Sequence, residues 1–160
     1  MKIIVLHGKQ SSLEKQLHDI FTKHDFQVEN MQYGSLPGFR LYQQIVDANP
    51  DFIVTIDLIG FEMLTDTDDI AFINLTFPSL NFITNDIDMK SLACLNNKLS
   101  IAMFFYCEGQ AVYDYLMEKC PEIPYLKLVG SWDEAVVDAL IEITPRHCEE
   151  CNDEAIQRFK

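Results

Sequence analysis

A few short stretches of this chain hold residues that could do chemistry. His7-Gly8-Lys9, followed by Ser11 and Ser12, groups an imidazole, an ammonium and two hydroxyls behind an apolar run. Asp57 and Gly60 close a β-branched run, and Asp86 and Asp88 follow another. Asp66, Asp68 and Asp69 bring further carboxylates together, and Cys107-Glu108-Gly109 sets a thiol beside an acid. His147, Cys148 and Cys151 are soft metal ligands packed close in sequence.

Each stretch has a chemical reading and a plainer one. A phosphate loop needs several glycines so that the backbone can wrap the phosphates, and His7 to Ser12 has only Gly8. That stretch reads as a strand-to-helix turn, or as a small-anion or sugar-hydroxyl site built from Lys9 and the Ser11 and Ser12 amides. The Asp66 to Asp69 and Asp86 to Asp88 carboxylates are hard oxygen ligands suited to Mg²⁺ or Mn²⁺. Asp88 alternatively caps a following helix. Structural zinc takes four ligands, and no second Cys-x-x-Cys pair accompanies Cys148 and Cys151. No metal site within one chain and no cofactor is therefore expected, while a zinc shared between two chains stays open. His18 and His24 read as surface positions on or just past a helix. Glu108 serves either as a lone polar site residue or as the first-turn acid of the next helix.

The elements that must position these residues follow from periodicity. Lys2 to His7 is apolar and β-branched at its centre, as a strand covered on both faces would be. Ser11 with Glu14 has the form of a capping box, and Leu13, Leu17, Ile20 and Phe21 recur at helical spacing, so a helix is expected from Ser12 to Lys23. Phe26 to Tyr33 reads as a strand, Gly34 to Gly38 as a turn, and Phe39 to Ala48 as a helix stopped by Asn49-Pro50. Asp51 to Gly60 is the strongest strand and is expected at the centre of a parallel sheet. Pro78 to Thr84, Ser100 to Tyr106 and Tyr125 to Val129 supply further strands. Short helices are expected at Ile70 to Leu75 and Met89 to Leu95, and a longer one at Gln110 to Lys119. Ser131 with Glu134 repeats the capping-box form before a last helix, whose buried face is read as Val136, Val137, Leu140 and Ile141.

Alternating strands and helices without a hairpin signal predict an α/β fold: a Rossmann-like three-layer sandwich with a mostly parallel five- or six-stranded sheet. Residues 1–145 are expected to form one domain and 146–160 an acidic C-terminal tail. In such sheets ligands bind beyond the carboxyl ends of the strands. That rule selects His7, Gly8, Lys9, Ser11, Asp57, Asp86, Glu108 and Gly109 as ligand-binding candidates, with no catalytic residue assigned.

Asp57, at the end of the third strand, invites comparison with receiver domains, which phosphorylate an aspartate there. A receiver also needs an acidic pair after its first strand, where this chain has His7-Gly8-Lys9, and a lysine after its fifth. Asp86-Ile87-Asp88 resembles the metal-and-nucleotide triplet of one glycosyltransferase class. Asp51-Phe-Ile-Val-Thr-Ile-Asp57 after the second helix resembles a strand of the N-terminal, acceptor-side half of GT-B-type glycosyltransferases. Met103 to Tyr106 and the turn at Glu122 to Tyr125 are compatible with that layout. The resemblance implies an isolated acceptor-side domain, because the second domain that binds the sugar donor in such enzymes would lie beyond this chain.

The chain has 160 residues, of which 48% are apolar and 23% charged, an ordinary globular balance. Twelve Lys plus Arg against 25 Asp plus Glu give a net charge of −13, with no basic cluster. Nucleic-acid and membrane-surface binding are accordingly disfavoured. No apolar run reaches the ~18–20 residues of a membrane span. The apolar stretch after Met1 is shorter than a signal-peptide core, and a cytoplasmic protein is expected. Five cysteines cannot all pair internally, and Cys94, Cys107 and Cys120 sit in apolar stretches, as buried thiols would. Together these features predict a non-catalytic binding or interaction domain with a small polar ligand, a protein partner or a second copy at the strand exits. A small metal-dependent enzyme acting on phosphate or sugar substrates, and a degenerate receiver-like module, are the alternatives.

Overall fold

In the computed structural model of the chain, residues 1–8, 12–35, 37–59, 77–88, 92, 103–121, 123 and 125–142 are described. The expectations for Lys9, Ser11, Gly60, Asp66 to Asp69, Cys94 and His147 to Cys151, like most of the two short helices and the acidic tail, lie outside those residues. The strands are β1 (Lys2–His7), β2 (Gln27–Gln32), β3 (Phe52–Ile56), β4 (Ser79–Ile83), β5 (Met103–Cys107) and β6 (Tyr125–Leu128). The helices are α1 (Ser12–Lys23), α2 (Gly38–Ala48), α3 (Gln110–Lys119) and α4 (132–142).

All six strands run parallel, in the order β2-β1-β3-β4-β5-β6. This is the Rossmann-like α/β sandwich that the alternation of elements predicts. β1, β3, β4 and β5 are interior, which is why their sequences are nearly continuous in apolar residues. β2 lies at an edge, and its polar sequence QVENMQ fits a strand with one open side.

Successive residues point to opposite faces, so each interior strand feeds two cores. Ile3, Val5, Val54, Leu80, Phe82 and Tyr106 pack with Leu13, Leu17, Ile20 and Phe21 of α1 and with Trp132, Ala135, Val136 and Ala139 of α4. On the opposite face, Ile4, Leu6 and Ile53 meet Leu41 and Ile45 of α2. Further along that face, Ile83, Phe105 and Cys107 meet Val112 and Leu116 of α3. Each fully buried Val, Leu, Ile or Phe among them contributes about 1.5–3 kcal/mol relative to exposure.

A polar knot lies between the two clusters of the second face. Thr55 donates its hydroxyl to Asn81 Oδ1 at 2.7 Å, and Asn81 Nδ2 donates to Ser79 Oγ at 3.1 Å and to the Phe104 carbonyl at 3.2 Å. All three side chains are buried, so the bonds answer a desolvation cost that would otherwise stand uncompensated.

Two local outcomes differ from the sequence reading. The buried face of α4 is Trp132, Ala135, Val136 and Ala139, whereas Val137 and Ile141 are 45% and 64% exposed. The i, i+3, i+4, i+7 spacing is kept but turned toward the alanines, which let the helix approach the sheet closely. β3 also stops at Ile56 although the apolar run continues. Asp57 and Leu58 both take positive φ, 49° and 57°, and the Ile59 amide donates to the Ile56 carbonyl at 3.1 Å. That is the geometry of a type I′ turn, and it leaves Leu58 free to bury itself against the α3 side of the sheet.

Candidate functional site at the strand exits

The chain order reverses direction between β1 and β3, since β2 lies on one side of β1 and all later strands on the other. The crevice of a doubly wound sheet opens at that place. His7 and Gly8 leave β1 there, and Asp57, Leu58 and Ile59 leave β3. The two exits touch: a Cβ on Gly8 would come within 2.7 Å of Ile59 Cδ1. Glycine at position 8 permits this close approach, since a Cβ there would have to push the flexible end of the Ile59 side chain aside.

His7 is only 8% exposed. Its Nδ1 lies 3.0 Å from the Gly8 carbonyl oxygen and 3.0 Å from Glu14 Oε2, on the first turn of α1. The capping-box reading of Glu14 rests on Ser11, which lies outside the described residues. The Glu14 carboxyl is buried beside the imidazole, because the end of β1 and the start of α1 are drawn together by the core around Leu13 and Leu17. The Ser131–Glu134 pair does behave as a cap. Ser131 Oγ accepts from the Glu134 amide at 3.2 Å, and Glu134 Oε2 accepts from the Gly130 amide at 2.9 Å.

The exits of β3, β4 and β5 are strapped to one another by carboxylates. Asp57 Oδ1 accepts from the Thr84 amide at 2.7 Å, and Oδ2 accepts from the Thr84 hydroxyl at 2.9 Å. Thr84 Oγ1 in turn accepts from the Asp86 amide at 3.2 Å. Glu108 Oε1 accepts from the Asn85 amide at 2.9 Å. Gly109 is buried under Asn85, whose Oδ1 would clash with a Cβ placed there. Burial raises the Asp57 carboxyl above its usual range. The Thr84 bonds act against that, and the nearby Glu108 and Asp86 charges add to it.

Of the expected site residues, the structure therefore gathers His7 and Gly8 at one place, beside the Asp57 exit. Asp57, Asp86, Glu108 and Gly109 form a connected line along the β3–β5 rim, while Lys9 and Ser11 lie outside the described residues. Among the described residues no group of three His, Cys, Asp or Glu side chains could hold a metal ion. Glu14 and Thr84 are rim residues that sequence reasoning missed, while Asn85 stands at the strand exit where it was expected. Thr84 carried a signal, as a hydroxyl at the last position of a predicted strand.

A groove of about 520 Å³ runs between the edge strand β2 and helix α2, lined by Glu29, Met31, Gln32, Leu41, Gln44 and Asp47 among others. Lys2 Nζ pairs with Glu29 at its margin, 3.1 Å away. Among the described residues no helix is long and apolar enough to cross a membrane.

These features define an α/β protein with a parallel sheet and a pre-organised polar rim. No family model, no curated protein and no solved structure matches the chain.

Proposed function

We propose that this chain is a non-catalytic binding domain that takes a small polar ligand at the carboxyl edge of its sheet, over the crevice between β1 and β3. The observation that carries the reading is the mutual engagement of the rim groups. Asp57 is spent on Thr84, Glu108 on the Asn85 amide, and His7 Nδ1 on Gly8 and Glu14. Such pairing fixes positions in advance, which lowers the ordering cost of binding. It leaves no nucleophile with an adjacent base among these residues. The strand Phe52–Ile56 supports, at sequence level only, kinship with the acceptor-side half of GT-B-type glycosyltransferases. A protein partner or a second copy at the same edge belongs to the same reading.

The test is a thermal-shift screen of the full chain against sugars, nucleosides, nucleotides and amino acids. A hit whose stabilisation disappears in His7→Phe supports the reading. Hits that are indifferent to rim substitutions overturn it.

One observation favours a second reading, a degenerate receiver-like module. The strand order β2-β1-β3-β4-β5 is shared with receiver domains, and Asp57 and Thr84 occupy the β3 and β4 exits. The strand beside β4 is β5, so its exit supplies Glu108 where a receiver has a lysine. Uptake of phosphate at Asp57 from acetyl phosphate would favour this reading, and an unmodified Asp57 would remove it.

A further inference from the structure

The hydrogen-bond partners of His7 decide which of its nitrogens carries the proton. The Gly8 oxygen, 3.0 Å from Nδ1, is a carbonyl and can only accept. Nδ1 must therefore carry a hydrogen, and the Glu14 carboxylate 3.0 Å away reinforces that choice electrostatically. A neutral imidazole protonated at Nδ1 has its lone pair on Nε2. No described residue bonds Nε2, and it is not among the partnerless side-chain atoms sealed from solvent. The ring is otherwise buried. It thus offers one acceptor at the β1 exit.

The neighbouring exits are acidic. Asp57, Asp86 and Glu108 carry carboxyl groups on the β3, β4 and β5 exits. An anionic ligand would meet like charge from these described rim residues. A hydroxyl-bearing ligand would supply a donor to Nε2 without adding negative charge.

We infer that His7 presents an unprotonated Nε2 at the β1 exit, and that the rim selects an uncharged, hydroxyl-bearing ligand, a sugar or a ribose, over its phosphorylated counterpart. The inference rests on the proposal that the rim is a ligand site, and it names the chemistry of that ligand.

Two measurements on the full chain test it. Long-range ¹H–¹⁵N correlation of the histidine rings at about pH 8 reads the tautomer directly. The expected result is a protonated Nδ1 and a bare Nε2 for His7; the opposite tautomer, or a doubly protonated ring, overturns the inference whatever binds. Amide-shift titrations then compare uridine with uridine 5′-monophosphate and glucose with glucose 6-phosphate. The neutral member of at least one pair should perturb the β1 and β3 exits with a Kd about tenfold below that of its phosphorylated partner. Equal or tighter binding of the phosphorylated members at the rim overturns this inference and keeps the rim as a ligand site. Silence of the rim toward all four overturns both. His7→Phe should abolish the response to the neutral ligand, and a response that survives in it counts against His7. If that variant fails to fold, the tautomer of the unsubstituted protein still decides.

Discussion

Asp57 at the exit of β3 is fastened to Thr84 at the exit of β4, with one carboxylate oxygen on the Thr84 amide at 2.7 Å and the other on its hydroxyl at 2.9 Å. The bond pair holds a residue at positive φ, where only the surrounding structure keeps a non-glycine residue in place. It also joins two neighbouring strand ends into one rim, so the rim and the turn that shapes it are stabilised together.

Asp57 gives the protein a specific pH signature. Its carboxyl titrates above 3.8 in the fold, first because it is buried. The folded state then binds the proton more tightly than the unfolded state. The stabilising contribution is fully present below 3.8 and is lost as pH rises through the raised folded value. Asp57→Asn should remove this part of the curve. Urea denaturation of both proteins from about pH 4 to about pH 7 should show the variant gaining on the parent as pH rises. Parallel curves, or the opposite trend, would contradict the burial argument.

The buried knot around Asn81 sets a second expectation. Asn81→Leu removes the partner of Thr55 Oγ1 and the donor to the Phe104 carbonyl, leaving both polar groups inside the sheet face. A loss of about 2–4 kcal/mol is expected by chemical denaturation, since each orphaned buried group costs about 1–3 kcal/mol. A change within about 0.5 kcal/mol would mean that the knot is not dry.

Gly109 and Asn85 are coupled by space. Gly109→Ala pushes a methyl into Asn85 Oδ1 and should destabilise the β4–β5 exits by about 1 kcal/mol. In an Asn85→Ala background the same substitution should cost little, because the obstructing group is gone. A double-mutant cycle measures this directly, and additive effects would show that the clash is relieved elsewhere.

Much of the fold was legible because the interior strands announce themselves. Phe52 to Ile56 could only be a strand buried on both faces, and the helices Ser12–Lys23 and Gln110–Lys119 have the bounds their periodicity and breakers imply. The face of α4 was misread because Val137 and Ile141 outweigh Ala135 and Ala139 in hydrophobicity, whereas packing against the sheet rewards small residues. The rim positions were legible from topology alone, since strand exits follow from the fold class. Their partners were not. Glu14 satisfies a local capping pattern in sequence, and only the tertiary closeness of β1 and α1 turns it toward His7. Thr84 is 27 residues from Asp57 along the chain, and no local pattern links them.

Cys107 tests the burial of the α3 face. Its thiol is fully enclosed, and burial pushes it up to about 12. Alkylation followed by peptide mapping should leave Cys107 unmodified in the native protein at about pH 8 and label it fully in denaturant, because only the thiolate reacts. Rapid native labelling of Cys107 would mean that this face opens readily.

Amide hydrogen exchange, with and without a ligand found by thermal shift, locates binding most directly. Protection is expected at residues 7–8, 57–59, 84–86 and 108–109, with the groove between β2 and α2 unchanged. Protection confined to that groove, with the strand exits exchanging as before, would contradict a ligand site at the carboxyl edge of the sheet.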